Sequence, residues 1–292
     1  MLRIGLIYNK SSGQRFKHKK IVKLKTVLLK YGSLQDFEVK NPFELLTEKD
    51  NLTNNFDLIV IAGGDGTVNG MLNILQETMP PLLLFPFGSG NDISRSCYKN
   101  FKINKIDYAL QQFQIDEVDL IEVSNGNKNY CVTVACVGTD SRVSKRAARF
   151  PRLLASARYI LASLIEIFLN EPNEIVIKTN DFNYSGEVSV CSLANTSQYG
   201  GGIHISPNSM ISDSQLELVL VKKLNRAKLL GLFILLIFQL HTKSRKVDII
   251  KVNKVEVSAP SEAIEVWADG QFMSHLPAEI RLADFKMKVL RV

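Results

Sequence analysis

Two stretches carry the residues best suited to chemistry. Residues 63–70 read GGDGTVNG directly after the apolar run FDLIVIA, and residues 82–92 read LLLFPFGSGND. In both, a strand-like run ends in glycines that leave backbone N–H groups open to an anion, and the helical pattern after Thr67 would aim further N–H groups at it. Asp65 could hold Mg²⁺ or a donor hydroxyl. A third turn, YNKSSG at residues 8–13, follows the first strand-like run and adds Asn9, Ser12 and Gly13. A tight turn without ligand would explain any one of these stretches. Three of them on the shared C-terminal edge of a parallel sheet point instead to a bound polyanion. No Lys-Ser/Thr follows the glycines and the spacing is not G-x-G-x-x-G, which argues against a P-loop protein and a dehydrogenase.

The elements that must position these turns fall into two textures. Up to about residue 110, strand-like runs (LRIGLIYN, FDLIVIA, PLLLFPFG) alternate with helical patterns (KKIVKLKTVLLKYG, NGMLNILQETM, IDYALQQF), the mark of a parallel α/β sheet. From about residue 116, strands dominate, with an Asn-Gly hairpin signal in SNGNK at residues 124–128. That half reads as an antiparallel β-sandwich interrupted by helices near 144–169 and 225–240. The expected organisation is an α/β domain over residues 1–115, completed by 276–292, and a sandwich domain over 116–275.

Composition narrows the classes further. The chain has 292 residues, 46% hydrophobic, and a formal net charge of +7. It suits two moderate domains with a polyanionic partner such as a phosphate-bearing ligand or an anionic membrane face. Cys97, Cys131, Cys136 and Cys191 form no C-x-x-C pair, so reduced, packed thiols of a cytosolic protein are expected. The first residues are too quickly polar for a secretory signal. The longest apolar run, LLGLFILLIF at 229–238, falls short of the roughly 20 residues that span a bilayer. Basic residues lack interleaved exposed aromatics, so no nucleic-acid partner is expected.

YNKSSG, GGDGTVNG and PFGSGNDISR, in that order, resemble the nucleotide-loop motifs of the diacylglycerol-kinase catalytic-domain family, which includes bacterial soluble lipid kinases and the sphingosine and ceramide kinases. VACVGTD (134–140), YGGGIHISP (199–207) and WADGQF (267–272) continue the likeness over essentially the whole chain. GGDGT alone is shared with NAD kinases and phosphofructokinases; the ordered set is far more specific. The resemblance implies an NAD kinase/diacylglycerol kinase-like α/β domain plus a β-sandwich, and transfer of the γ-phosphoryl group of ATP to the hydroxyl of diacylglycerol or a related lipid alcohol. It implies ATP contacts from Asn9, Ser12, Gly13, Gly63, Gly64, Asp65, Gly66, Thr67, Asn69, Gly88, Ser89, Gly90 and Asn91, with Asp65 and Asp92 organising Mg²⁺. The family's D-G-E stretch reads Asp269-Gly270-Gln271 here. Glutamine cannot accept a proton, so Asp269 is expected to be the base and Gln271 to orient it.

Other departures are specific. Lys10 stands at a usual proline, and Gly70 at a usual glutamate, where one polar contact beneath the loop is missing. The family's structural metal turn appears as NSMISDSQLE, leaving Asp213 and the carbonyls of Met210 and Gln215 as possible ligands; a plain hairpin is the alternative. Arg142, Lys145, Arg146 and Arg149 recur at helical spacing, and residues 222–246 flank an apolar helix with cations. Either could hold the protein to the inner face of an anionic membrane, while core helices with solvated basic ends explain 222–246 equally. The expected partner is a lipid at that surface, with a homodimer possible. An NAD kinase-like enzyme and a nucleotide-binding membrane-surface sensor with little catalysis are the alternative readings.

Overall fold

The computed structural model describes residues 1–9, 15–98, 100–151, 154, 156–169, 171–260 and 264–292. In chain order the elements are β1 (Leu2–Asn9), α1 (Arg15–Leu28), β2 (Gly32–Val39), α2 (Lys49–Asn54), β3 (Leu58–Gly63), α3 (Asp65–Leu75), β4 (Leu82–Pro86), α4 (Asp92–Cys97), α5 (Ile106–Gln112) and β5 (Ile115–Val118). Then come β6 (Ile121–Asn125), β7 (Asn127–Cys131), β8 (Val134–Val137), α6 (Thr139–Arg149), α7 (Ala157–Leu169), β9 (Asn173–Lys178), β10 (Asn183–Ala194), β11 (Leu216–Lys222) and α8 (Arg226–Ile237). The chain ends through β12 (Asp248–Val252), β13 (Lys254–Ser258), β14 (Glu265–Ala268), β15 (Gln271–His275), β16 (Ala278–Leu282) and β17 (Met287–Leu290).

Two compact units result, Met1–Val118 with Phe285–Val292, and Asp119–Asp284. The first holds a sheet of order β2-β1-β3-β4-β17-β5. β1 pairs in parallel with both β2 and β3, and β3 with β4, so the order reverses at β1. β3 is buried at every position, which is why LIVIAG is uniformly apolar rather than alternating. β2 is an edge strand whose GSLQDFEV is mostly exposed or half-buried, so its sequence lacks the apolar signature of its neighbours.

The second unit is one antiparallel sheet, β15-β14-β8-β10-β9-β13-β16-β6-β7, with β11 and β12 branching from β10. Asn129 Nδ2 of β7 donates to the Met273 carbonyl of β15 (2.9 Å), so the two ends of the path meet and the sheet curls, barrel-like, around its core. That core is built from inward residues such as Ile121, Val137, Ile175, Leu193, Leu218 and Ile280. The hairpin read from SNGNK forms, turning at Gly126 with φ 77°.

The domain limits differ from the expected 115/116 and 275/276. Residues 116–118 of β5 pair with β17 in the first sheet. Ala278–Leu282 pairs with β13 and β6 in the second, so the chain returns to the first unit at Phe285 rather than 276. Cys131, Cys136 and Cys191 are buried free thiols, and burial holds the Cys191 thiol up at about 12. Among the described residues no helix is long and apolar enough to cross a membrane.

Candidate active site

β1, β3 and β4 end at one edge of the first sheet, with Tyr8 beside Ala62 and Gly63 beside Pro86. Their following turns therefore leave from the place where strand order reverses, the usual ligand crevice of an open α/β sheet. Ser12 and Gly13, with Lys10, lie outside the described residues. Asn9 closes β1 by donating from Nδ2 to the Lys40 carbonyl (2.9 Å), tying it to the end of β2.

The other two glycine turns touch backbone to backbone. A Cβ on Gly64 would lie 2.9 Å from Gly88 Cα, and one on Gly88 would lie 2.5 Å from Gly64 Cα. No other residue fits at either position. The Phe87 N–H donates to the Gly63 carbonyl (2.9 Å), which extends the β3–β4 pairing into the turns. Gly64 caps α3, and its carbonyl accepts the N–H groups of Thr67 and Val68. Thr67 folds back over Gly63, where a Cβ would collide with its side chain. Asn69 is buried in α3 and accepts from Asn73.

The second turn is locked by Asn91, which sits at φ 57° and exchanges two hydrogen bonds with Gly88: Gly88 N–H to Oδ1 at 2.7 Å, Nδ2 to the Gly88 carbonyl at 2.8 Å. Left-handed backbone suits asparagine. Asp65 crosses between the turns by accepting the Ile93 N–H (3.0 Å) at the start of α4. Asp92 is buried and pairs with Arg95 (3.3 Å), and a Cβ on Gly90 would lie 2.7 Å from Asp65 Oδ2 and 3.7 Å from Asp92 Oδ2. The two carboxylates thus flank one glycine. Among the described residues no group of three His, Cys, Asp or Glu side chains could hold a metal.

Gly70 is explained by packing. A Cβ there would overlap Pro42 Cγ, because a 3₁₀ segment, Pro42–Glu48, lies against α3 and is anchored by an Asn41–Glu44 capping box. The missing glutamate has no space to occupy.

In the second unit, Asp269 and Gly270 take φ 50° and 75°, the two-residue turn of the β14–β15 hairpin. The Asp269 carboxylate accepts Val132 N–H (2.8 Å), Thr133 N–H (3.1 Å) and Thr133 Oγ1–H (2.6 Å). It therefore ties this hairpin to the β7–β8 connection. Gln271 opens β15, half-buried. The Asp213 carboxylate accepts Gln215 N–H (3.2 Å), closing a local turn; Ser214, at φ 57°, donates its N–H to Asp119 (2.7 Å), and Met210 is exposed.

Of the four cations expected on one face of α6, Arg149 is exposed and the other three are engaged within the second unit. Arg142 and Arg146 both pair with Glu166, 1% exposed on α7, at 3.0 and 2.7 Å, and Lys145 pairs with Glu265 at 2.7 Å. These cations fasten α6 to its neighbours.

Sequence reasoning missed a cavity of about 90 Å³ between α6, α7, α8 and the sheet, walled by Val219, Leu232 and Phe233 among others. Its polar lining includes Asp140, which accepts from Tyr199 Oη (2.6 Å) and Ser192 Oγ. Burial first, then the nearby Asp140 carboxylate, pushes the Tyr199 hydroxyl well up. His241, also lining the cavity and 3% exposed, bonds the Ile205 carbonyl through Nε2 (2.8 Å), while among the described residues Nδ1 has no partner. A carbonyl only accepts, so Nε2 carries the proton and Nδ1 is an acceptor. The GTD and YGGG motifs were the available signals for Asp140 and Tyr199.

Glycine turns meeting at the switch point of a parallel sheet, carried in one chain with a curled antiparallel unit, define the fold class shared by diacylglycerol and NAD kinases. Residues 3–123 match the family model of the diacylglycerol kinase catalytic domain, and residues 133–291 that of the YegS C-terminal NAD kinase beta sandwich-like domain. The chain is 33% identical over 242 residues to a diacylglycerol kinase of Mycobacterium tuberculosis, covering 80% of this chain and 77% of the relative. It is 25% identical over 294 residues to the Bacillus subtilis diacylglycerol kinase, covering 96% and 93%. The fold matches a diacylglycerol kinase crystal structure from Bacillus anthracis with a TM-score of 0.79 at 21% identity, covering 99% and 97%. It matches an NAD kinase from Archaeoglobus fulgidus in complex with ATP at 0.56 and 16%, covering 99% and 93%. The chain belongs to the diacylglycerol kinase family and is a lipid kinase.

Proposed function

We propose that this lipid kinase transfers the γ-phosphoryl group of Mg-bound ATP to the hydroxyl of diacylglycerol or a related long-chain alcohol, working at the inner face of the membrane. The observation that carries the nucleotide half is the contact of Gly64 with Gly88 at the ends of β3 and β4, next to the sheet's switch point, a cradle that any side chain would fill. The two turns bind and orient the phosphates at the positive N-terminal end of α3, while the Thr67 and Gly88 N–H groups, bonded to the Gly64 carbonyl and Asn91 Oδ1, hold the turns in shape. Asp65 and Asp92 suit Mg²⁺, which completes its shell with phosphate oxygens and water rather than an all-protein cage. When bound, the ion supplies charge neutralisation. Asp269, oriented by Val132 and Thr133, accepts the proton of the acceptor hydroxyl, with Gln271 beside it as a neutral partner. The apolar cavity of the second unit receives part of the acyl chain.

Labelled ATP incubated with mixed micelles containing diacylglycerol should give a phosphorylated lipid. Product on NAD instead, or ATP binding with no product on any long-chain alcohol, would overturn the assignment.

A further inference from the structure

From Leu229 to Ile237, α8 is apolar on every face, a composition suited to burial all round. The protein buries only one side of it. Leu229 and Phe233 pack on Ile167 of α7, while Ile234, Leu235 and Ile237 stand in solvent and Phe238, just beyond the helix, is 69% exposed. α7 has the same asymmetry. Ala162, Glu166 and Ile167 are buried, whereas Leu161, Ile165 and Phe168 recur at i, i+4 and i+7 on the outer side, Phe168 at 62% exposure. Half of the large apolar side chains exposed among the described residues lie within 160–169 and 234–240. A patch so concentrated marks an interaction surface rather than ordinary scatter.

The charges around it select the occupant. No acidic residue occurs between Lys222 and Val247, while Arg226 and Lys228 precede the apolar stretch and Lys243, Arg245 and Lys246 follow it. Among the described residues these five cations have no carboxylate partner. A symmetric contact with a second copy would bring such cations against themselves. An anionic bilayer offers the complement, acyl chains for the apolar stripe and lipid phosphates for the cations. The inner sides of the same two helices line the cavity through Ser163, Ile167, Leu232 and Phe233.

We propose that α7 and α8 form the face this protein lays into an anionic leaflet, with Phe168 and Phe238 entering the acyl region and the flanking cations at phosphate level. The inference rests on the lipid-kinase reading above and adds the surface through which the substrate's membrane is met. Since the cavity lies directly beneath this face, an acyl chain would have only the α7–α8 layer to pass.

The test is sedimentation of the full chain with vesicles of phosphatidylcholine, alone or mixed with phosphatidylglycerol. Replacing Phe168 and Phe238 by serine should weaken binding to the mixed vesicles by roughly tenfold or more per side chain. K243Q, R245Q and K246Q should each weaken it about fivefold and together abolish the preference for phosphatidylglycerol. Both sets should lower turnover on vesicle-borne diacylglycerol while leaving kcat/KM on a dispersed short-chain diacylglycerol unchanged. Vesicle binding that survives the serine substitutions would overturn the membrane face while leaving the kinase reading intact. So would conversion of a dimer to a monomer by F168S/F238S with vesicle binding unaltered. Failure of the parent protein to phosphorylate the short-chain lipid would instead sink the reading on which the proposal rests.

Discussion

Replacing Asp269 by asparagine should remove phosphoryl transfer and also loosen the hairpin that carries it, and the size of the second effect follows from the geometry. Asparagine tolerates the left-handed backbone at φ 50°, so the turn itself is not penalised. Its side-chain oxygen can keep the two Thr133 bonds, but its NH₂ then meets the Val132 N–H, donor against donor. An unsatisfied, part-buried N–H costs about 1–3 kcal/mol, and each retained bond loses the advantage of a charged acceptor. The sum is about 2–4 kcal/mol, or roughly 5–15 °C in melting temperature for a unit of this size. Trp267, the chain's single tryptophan, lies in β14 of the same hairpin, so its fluorescence reports the unfolding locally. Thr133→Val is the control: it removes one hydroxyl donor, costs about 1 kcal/mol, and leaves the carboxylate in place. Turnover should fall by about 100-fold or more in the asparagine variant and by less than about tenfold in the valine variant. An unshifted melting midpoint for Asp269→Asn would refute the clamp, and turnover retained within a few-fold would remove Asp269 as the proton acceptor.

Other expectations are direct. Gly70→Glu should destabilise the chain by about 1–3 kcal/mol through overpacking against Pro42, measured as a lower urea midpoint; a neutral or more active variant would show that the 3₁₀ segment yields readily. Gly88→Ala should weaken ATP binding in a calorimetric titration, since its Cβ would press on Gly64, and unchanged affinity would displace the phosphates from these turns. His241 is held below its ordinary pKa by burial, against the smaller opposing effect of its bond to Ile205. The unfolded chain therefore protonates first as pH falls, so the stability from neutral His241 is complete above about 6.5 and is lost progressively below it. Melting temperature should drop more between neutral pH and pH 5.5 for the parent than for His241→Gln, and parallel curves would contradict the buried, neutral imidazole.

The glycine turns were legible because their requirement is local. A strand must end, a backbone must stay bare, and GGDG and GSGN state both conditions in consecutive residues. The buried strands were legible for the same reason, since LIVIA has only one plausible environment. What escaped depended on partners distant in the chain. β2 gave no apolar signal because it lies at an edge. β16 was placed with the wrong unit because Ala278–Leu282 finds its partners, β13 and β6, only through register. Arg142 and Arg146 looked like a membrane-facing stripe because Glu166 sits on the next helix. Residues 222–246 admitted two readings because an apolar helix states that it avoids water without stating what covers it. The cavity is assembled from three helices and two strands, and no short window of sequence contains it.

The position of β17 between β4 and β5 bears on the order of synthesis. β4 keeps a bare edge, and β5 has no neighbour, until Met287–Leu290 have been made. All the residues of the intervening curled sheet must therefore be made before the sheet of the first unit can close. Deleting Met287–Leu290 should injure the sheet of the first unit, leaving an open strand for other unfinished chains to pair with.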